Sequence, residues 1–284
     1  MDIVKTISEL RQHVTAARSQ GKTIGFVPTM GALHIGHASL IKAACEKCDY
    51  VVVSIFVNPT QFGPSEDLEK YQRDLDADVK ICTDCRADII FAPTVAEMYP
   101  GELITWVDVE KITESLCGES RPGHFRGVTT VCAKLFNIVC PDYAFFGQKD
   151  AQQVTVIKRM VADLNMPLEI VTCPTVRDND GLATSSRNKY LTEIQRKDAL
   201  LISKSLLKCL QLVEKGNCDA ALLKNEICKT MTISPDIKVQ YVAIVDPETL
   251  QEIDSITDKA LVAIAVNIGD TRLIDNILID LNNL

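Results

Sequence analysis

The sequence of 284 residues lacks any apolar run long enough to cross a lipid bilayer. A membrane-spanning helix needs about 20 consecutive apolar residues, whereas the longest apolar runs, such as residues 50–57, are far shorter. The first residues also lack the basic-then-apolar pattern of a secretory signal. These two absences predict a cytoplasmic protein without membrane association.

Positive charge is also scarce. The chain has 30 basic and 38 acidic side chains, and therefore a formal net charge of −8. A general nucleic-acid binder needs a basic footprint, so this balance argues against a nucleic-acid partner. It still allows a small anionic substrate, because a local site can be positive on an acidic protein.

Cysteine, in contrast, is abundant, with 11 residues. Two pairs have the spacing of zinc ligands, Cys45 with Cys48 and Cys82 with Cys85. Each pair lies in or at the end of a predicted helix rather than in a turn, and the two pairs are farther apart than in a zinc ribbon. We therefore predict no metal site, and keep a zinc-stabilised binding protein as the alternative outside the enzymes.

Short apolar segments alternate with helical patterns over the first 175 residues. The patterns predict helices over residues 6–19, 38–48, 66–86, 128–139 and 151–164, and strands over 23–27, 50–57, 88–93, 103–107, 143–146 and 168–171. Short strands separated by helices are typical of a parallel sheet with right-handed crossovers. The sequence thus predicts an α/β fold with a Rossmann-like, doubly wound parallel sheet.

The character of the chain changes after residue 175. A polar segment without periodicity comes first, and helices over 192–214 and 218–231 and strands over 237–245, 260–266 and 272–280 are predicted after it. This order predicts a second, smaller α+β domain. We place the domains at residues 1–175 and 176–284, and expect the C-terminal domain to act as a lid whose polar segment closes over a ligand.

A glycine-containing turn, residues 28–37, follows a predicted strand and precedes a helix. Gly31 and Gly36 let the backbone turn tightly and approach a ligand closely. His34 and His37 stand where the free N–H groups of a helix start favour an anion. The combination predicts a phosphate-binding corner.

Two other polar turns, residues 58–64 and 147–150, also follow predicted strands. Ligands bind beyond the carboxyl ends of the strands in such sheets, so the three turns are expected to form one cleft. Lys149 is placed there to reach a phosphate, and the uncharged amides of Gln61 and Gln153 suit the orientation of a hydroxylated acid. Each of these three side chains is also compatible with an ordinary surface residue.

Two motifs resemble those of known enzymes. His-Ile-Gly-His at 34–37 matches the signature of α/β enzymes that attack the α-phosphate of ATP and release pyrophosphate. Thr-Ser-Ser-Arg-Asn at 184–188 resembles the second, mobile phosphate loop of that superfamily, in which a guanidinium suits phosphate oxygens.

Five segments, in order, resemble the pantoate–β-alanine ligase (pantothenate synthetase) family. They are Pro-Thr-Met-Gly-Ala-Leu-His-Ile-Gly-His (28–37), Phe-Val-Asn-Pro-Thr-Gln-Phe (56–62), Arg-Pro-Gly-His-Phe-Arg-Gly (121–127), Phe-Gly-Gln-Lys-Asp-Ala-Gln-Gln (146–153) and Arg-Asp-Asn-Asp-Gly-Leu-Ala-Thr-Ser-Ser-Arg-Asn (177–188). The resemblance covers the chain from the first strong strand to the predicted interdomain segment.

The resemblance implies a reaction in two steps. The carboxylate of (R)-pantoate attacks ATP, with Mg²⁺ accompanying the nucleotide, to give pantoyl adenylate and pyrophosphate. The amine of β-alanine then displaces AMP and gives pantothenate. The resemblance also implies a homodimer, with ATP and pantoate bound by residues 1–175.

The resemblance assigns roles residue by residue. The catalytic set is His37, as proton donor, with His34, Lys149 and Arg187. The substrate-binding set is Gln61, which also lies near β-alanine, with Gln153 and Asn58. The ATP-binding set is Met30, Gly31, Ala32, Leu33, His34, Ile35, Gly36, His37, Gly147, Gln148, Lys149, Asp150, Val176, Thr184, Ser185, Ser186 and Arg187. Thr184 stands where family members often carry methionine.

Other enzymatic functions stay open on the motifs alone. A nucleotidyltransferase that acts on another acid or phosphate would carry the same phosphate-binding corner. An aminoacyl-tRNA synthetase is the weaker alternative, because an acidic chain without an anticodon-binding extension leaves little surface for tRNA.

Overall fold

The structure, a computed structural model, describes residues 1–63, 68–69 and 71–284. Within these ranges the strands are β1 (Asp2–Val4), β2 (Ile24–Thr29), β3 (Tyr50–Ile55), β4 (Ile89–Phe91), β5 (Tyr143–Gly147), β6 (Glu169–Cys173), β7 (Ile237–Val245), β8 (Lys259–Ile268) and β9 (Thr271–Asp280). The helices are α1 (Ile7–Ser19), α2 (Ile35–Lys47), α3 (Leu75–Asp84), α4 (Val95–Met98), α5 (Cys117–Ser120), α6 (His124–Val139), α7 (Ala151–Asp163), α8 (Glu193–Glu214) and α9 (Ala220–Met231).

The first six strands form one parallel sheet in the order β1-β4-β3-β2-β5-β6. Helices α1, α6 and α7 pack on one face, and α2 and α3 pack on the other. Burial on both faces explains why β3 is a continuous run of apolar residues rather than an alternating one. This arrangement confirms the predicted α/β class with a doubly wound parallel sheet.

The order in which the chain adds strands to the sheet reverses between β2 and β5. From β2 it builds outward through β3 and β4, and it later returns to pair β5 with the other edge of β2. Ligands of open α/β sheets bind in the crevice beyond the strand ends at such a switch point. The turns that follow β2 and β5 therefore meet at this crevice.

The last three strands form an antiparallel sheet in the order β7-β8-β9, covered by α8 and α9. A separate apolar cluster joins this sheet to the parallel part of the protein. It includes Phe125 and Val156 from α6 and α7, and Val245 and Leu261 from β7 and β8. The C-terminal unit contains the two helices and three strands that the sequence predicts. Its exact boundary, between residues 175 and 176, stays a prediction.

Two sequence predictions differ from the structure, and part of one lies outside the described residues. Residues 103–107, predicted as a strand, are in no strand, because Val107 bonds the side chains of Thr129 and Thr130 on α6 instead of a neighbouring strand. The helix predicted over 66–86 spans only Leu75–Asp84, since the Asp74 side chain caps its start. Part of the predicted helix, and the last residue of the turn at 58–64, lie outside the described residues, at positions 64–67 and 70.

One boundary and one strand elsewhere were also missed. Helix α6 begins at His124, so half of the segment 121–127 that was predicted as a turn is helical. Strand β1, with three residues, is too short to show a period, and pairing with β4 decides its conformation. In the described part of the chain, no helix has both the length and the apolarity needed to cross a membrane.

Candidate active site

The backbone turns sharply after β2, in the phosphate-binding corner defined by residues 28–37. Gly31 and Ala32 both adopt left-handed backbone conformations, with φ of +83° and +50°. A non-glycine residue in that region costs roughly 1–2 kcal/mol. The buried carboxylate of Asp78 on α3 offsets this cost by accepting the N–H groups of Ala32 and Leu33 at 3.1 and 2.7 Å.

Asp78 was not among the sequence candidates. An acidic residue in the first turn of a helix is common, because it interacts favourably with the helix dipole. Its contact with residues more than 40 positions earlier depends on the packing of α3 beside the corner. Burial raises the pKa of this carboxyl group, and the two backbone bonds oppose that rise.

The two histidines of the corner are held by backbone hydrogen bonds. The Nδ1 atom of His34 accepts the N–H of Gly36 at 3.1 Å, and Nδ1 of His37 accepts the N–H of His34 at 3.3 Å. A ring nitrogen that accepts a hydrogen bond carries no proton, so each neutral ring carries its hydrogen on Nε2. The ring centroids lie 4.1 Å apart, and both residues present Nε2–H donors at the start of α2.

Gly36 makes this arrangement possible. A Cβ atom at position 36 would lie 2.9 Å from Cε1 of the His34 ring, closer than side chains normally approach. The second glycine of the motif is thus needed for the histidine ring to fold back over the helix start.

Both histidines are neutral at physiological pH. Burial, reinforced by the positive charge of Lys149, lowers the pKa of His34 to about 4. Burial, followed by the neighbouring His34, lowers the pKa of His37 to about 3. Neutral imidazoles of this kind donate hydrogen bonds to a developing negative charge without carrying charge themselves.

Lys149 lies just after β5, the strand that pairs with β2. It belongs to a single 3₁₀ turn, Gln148–Asp150, that joins β5 to α7. Its ammonium group is 3.8 Å from the Asp150 carboxylate, and its side chain is only 20% exposed. Because β5 neighbours β2 in the sheet, the predicted cation and the histidine pair lie in one crevice.

The polar loop that contains residues 184–187 is held by an ion pair and by hydrogen bonds from its neighbours. The Asp178 carboxylate accepts the hydroxyl of Thr184 at 2.6 Å and the guanidinium of Arg196 at 2.8 Å. The N–H of Thr184 donates to the carbonyl of Val176 at 2.9 Å. The buried Thr184 side chain thus points to Asp178, which gives a local reason for a hydroxyl at this position.

A cavity of about 860 Å³ lies between the parallel and the antiparallel sheets. Of the predicted site residues, those that line it are Lys149, Asp150, Gln153, Ser185 and Arg187. Arg121 and His124, from the segment 121–127, line it as well.

The histidine pair, Met30 and Gln61 do not line this cavity. Lys149 and Asp150, which line the cavity, contribute electrostatically to the pKa values of both His34 and His37. Arg187 also borders a smaller pocket together with Ala32 and Ser186, so the second loop reaches the corner from the other side.

Asn58 and Gln61 form a buried pair below the cleft. The Asn58 amide donates to Gln61 Oε1 at 3.1 Å and to the Gly127 carbonyl at 3.2 Å, and its oxygen accepts the Tyr99 hydroxyl at 2.8 Å. Asn58 is only 1% exposed, so it orients Gln61 rather than presenting a free amide to a ligand. The Gln61 Nε2 group faces the Met30 sulfur at 2.9 Å.

Comparisons with known proteins agree with one another. The model of the pantoate-beta-alanine ligase family matches residues 2–278. A protein named pantothenate synthetase from Pelotomaculum thermopropionicum is 56% identical over 279 residues, covering 98% of this chain and 99% of that protein. The crystal structure of pantothenate synthetase from Thermus thermophilus has a TM-score of 0.93 and 43% identity, over 98% of this chain and 99% of that one.

A third similar protein was solved with ligands. The pantoate-beta-alanine ligase from Francisella tularensis, complexed with beta-gamma ATP and beta-alanine, has a TM-score of 0.78 and 37% identity. The match covers 98% of this chain and 97% of that one.

Proposed function

The chain belongs to the pantoate–β-alanine ligase family, and we infer on that premise that it joins pantoate to β-alanine in an ATP-dependent reaction. The products are pantothenate, AMP and pyrophosphate, with pantoyl adenylate as the intermediate. The match over almost the whole chain favours pantoate over the other acceptors that the motifs alone left open. The observation that supports the chemistry most directly is the pair of neutral histidines, with Nε2–H donors aimed from a helix start beside Lys149.

In the first step, we propose that a carboxylate oxygen of (R)-pantoate attacks the α-phosphorus of ATP, and the bond to the pyrophosphate oxygen breaks. Negative charge builds up on the α-phosphate oxygens, where His34, His37 and the N–H groups at the start of α2 donate hydrogen bonds. Because the pKa of His37 is about 3, this role as a hydrogen-bond donor is better supported than transfer of a proton from an imidazolium ion.

Lys149 and the second phosphate loop are proposed to hold the departing pyrophosphate. Lys149, Arg187 and Ser185 line the same cavity. A guanidinium forms paired hydrogen bonds with phosphate oxygens. This side of the cavity is thus suited to polyphosphate, with Ser186 bordering the adjoining pocket.

Mg²⁺ is proposed to enter with the nucleotide and to neutralise phosphate charge. Magnesium in such sites is usually bound by substrate phosphates, water and one or two carboxylates. Asp150 supplies a half-exposed carboxylate next to Lys149. Across the described ranges, no group of three His, Cys, Asp or Glu side chains is arranged to hold a resident metal ion.

In the second step, the β-alanine amine attacks the activated carbonyl carbon, AMP leaves and the nitrogen loses a proton. Gln153, on the cavity wall, and Gln61, oriented by Asn58, are proposed to bind pantoate. No nucleophilic side chain is needed, so alignment of the reactants carries much of the catalysis; such alignment is worth roughly 7–11 kcal/mol.

The proposal is tested by measuring AMP formation with ATP, pantoate and β-alanine, omitting each substrate in turn. We expect full activity only when all three are present, and little activity when other small acids replace pantoate. AMP formation that does not depend on pantoate would overturn the assignment.

The His37→Ala variant tests the role of the corner. Loss of one donor to a transition-state oxyanion typically slows a reaction by about 10²–10³-fold, so we expect that loss in pyrophosphate release, with a normal circular dichroism spectrum. Near-wild-type pyrophosphate release would remove His37 from the catalytic set.

Two further features are part of the proposal. We propose that the enzyme acts in the cytoplasm, and as a homodimer formed through the larger, N-terminal part of the chain. Light scattering on the purified protein measures the mass directly. A measured mass of 31.3 kDa, that of a single chain, would contradict the dimer.

A further inference from the structure

Asn276 of β9 reaches from the antiparallel sheet to the turn that carries Lys149. Its Nδ2 group donates to the carbonyl oxygens of Gln148 and Lys149 at 3.0 and 2.9 Å. Its Oδ1 atom accepts Nε2–H of Gln148 at 3.0 Å. Asn276 is 4% exposed, so both donors and the acceptor of a buried amide are used on one turn of the other sheet.

These bonds fix the backbone of a short connection. Residues 148 and 149 lie in a single 3₁₀ turn between β5 and α7. Asn276, 127 positions beyond Lys149 in the chain, donates to the carbonyls of both residues from the other sheet.

Asp275, the preceding residue of β9, holds a different part of the site. Its carboxylate is 3% exposed and accepts two bonds from the Arg177 guanidinium, at 2.7 and 3.1 Å. Arg177 also donates to the carbonyl of Gly181 at 3.2 Å and forms a backbone bridge with Ala183, directly before the second phosphate loop.

Adjacent residues of a strand point to opposite faces, which explains how the two side chains reach different targets. The pairing of β9 with β8 shows the same division. Asp275 lies opposite Ile264, in the core of the C-terminal sheet, and Asn276 lies opposite Ala263, in the apolar cluster between the two sheets. The N–H of Asn276 also donates to Asp275 Oδ1 at 2.8 Å.

We propose that Asp275 and Asn276 are positioning residues that set the separation between Lys149 and the loop 184–187. Asn276 fixes the turn that carries Lys149. Asp275, through its ion pair with Arg177, fixes residues 177–183, which lead into the loop. This inference rests on the proposed function, in which these two segments hold the pyrophosphate part of ATP.

The proposal separates the two chemical steps. Adenylate formation needs both segments to hold the phosphates, whereas amide formation begins after pyrophosphate has left. Loss of the Asn276 bonds is therefore expected to slow the first step and spare the second.

The test compares Asn276→Ala with Asn282→Ala as the matched control. Asn282 follows β9 and donates to Asp258 at the surface. Adenylate formation is measured as pantoate-dependent exchange of pyrophosphate into ATP, with KM determined for each substrate. The second step is measured by supplying synthetic pantoyl adenylate and β-alanine in a single turnover.

For Asn276→Ala we expect exchange to fall by about 10- to 100-fold, with a raised KM for ATP and an unchanged KM for pantoate. The second step should stay within about twofold of the control. A parallel loss in both steps, or exchange equal to that of the control, would overturn the proposal. Failure of the wild-type protein to form pantothenate would instead overturn the proposed function.

Asn276→Asp covers the case in which the alanine variant does not fold. Aspartate keeps the size and the acceptor for Gln148 but removes both donors to the carbonyls. The same difference between the two steps is expected, and its absence in a folded Asn276→Asp protein would contradict the positioning role.

Discussion

Each histidine of the turn at residues 28–37 uses its Nδ1 nitrogen to accept a backbone N–H, and its Nε2 nitrogen is left to carry the hydrogen. The Nδ1 atoms accept backbone N–H groups, so protonation of either ring would replace a hydrogen bond by a clash of two donors. Burial adds to this effect and holds the pKa of His37 at about 3. A residue type known for proton transfer is thus held as a neutral hydrogen-bond donor.

This protonation state predicts a stability change with pH. The pKa of His37 is lower in the folded protein than the ordinary histidine value near 6.5, so the unfolded chain binds more protons below that pH. The free energy of unfolding should therefore fall as the pH drops from about 6.5 toward 3. Between pH 7 and pH 5, we expect the wild type to lose about 1–2 kcal/mol more than His37→Gln.

Urea unfolding at the two pH values measures this difference. His13→Gln, on α1 and away from the site, is the control and is expected to follow the wild type. Equal losses in the wild type and in His37→Gln would show that the imidazole is not held neutral by the fold.

At the scale of elements, the packing of α2 against α3 explains the two cysteine pairs. The Cys45 thiol donates to the Cys85 carbonyl at 3.5 Å, and the Cys85 thiol donates to the Ala38 carbonyl at 3.7 Å. Burial raises the pKa of Cys48 to about 11 and that of Cys82 to about 12. Buried free thiols of this kind act as small apolar packing groups with weak S–H donors.

Metal removal should therefore leave the fold intact. We expect the thermal midpoint of unfolding to be unchanged after treatment with a strong chelator, and elemental analysis to find no stoichiometric zinc in the purified protein. One zinc per chain, lost together with a large fall in the midpoint, would restore the zinc alternative.

At the scale of the whole molecule, the apolar cluster between the sheets joins the C-terminal unit to the parallel part. Leu261 of β8 is 1% exposed within this cluster. Truncation of a buried leucine to alanine costs roughly 2–5 kcal/mol. A shared core of this kind is expected to make the two units unfold together.

The Leu261→Ala variant tests this coupling. We expect a single calorimetric transition at a lower temperature, destabilised by about 2–5 kcal/mol. Leu278→Ala on β9, where the side chain is 50% exposed, is the matched control and should change stability by less than about 0.5 kcal/mol. Two separate transitions in Leu261→Ala would show that the units fold independently.

The sequence predicted the alternating elements well because local patterns determine them. The apolar run of β3 and the helical periods of α8 and α9 are visible without any tertiary contact. Residues 103–107 have the composition of a strand, yet Thr129 and Thr130 bind Val107 in place of a neighbouring strand. Strand pairing is a long-range event, so composition alone cannot report its absence.

The phosphate-binding corner that organises the site is determined by the sequence itself. Its glycines, histidines and helix start are neighbours in the chain, and their mutual hydrogen bonds span only two or three residues. The tertiary structure alone decides the partners of this corner: Asp78 behind it, the turn of Lys149 beside it, and Asn276 holding that turn. Those contacts join residues 40 or more positions apart, and no local pattern encodes such a distance.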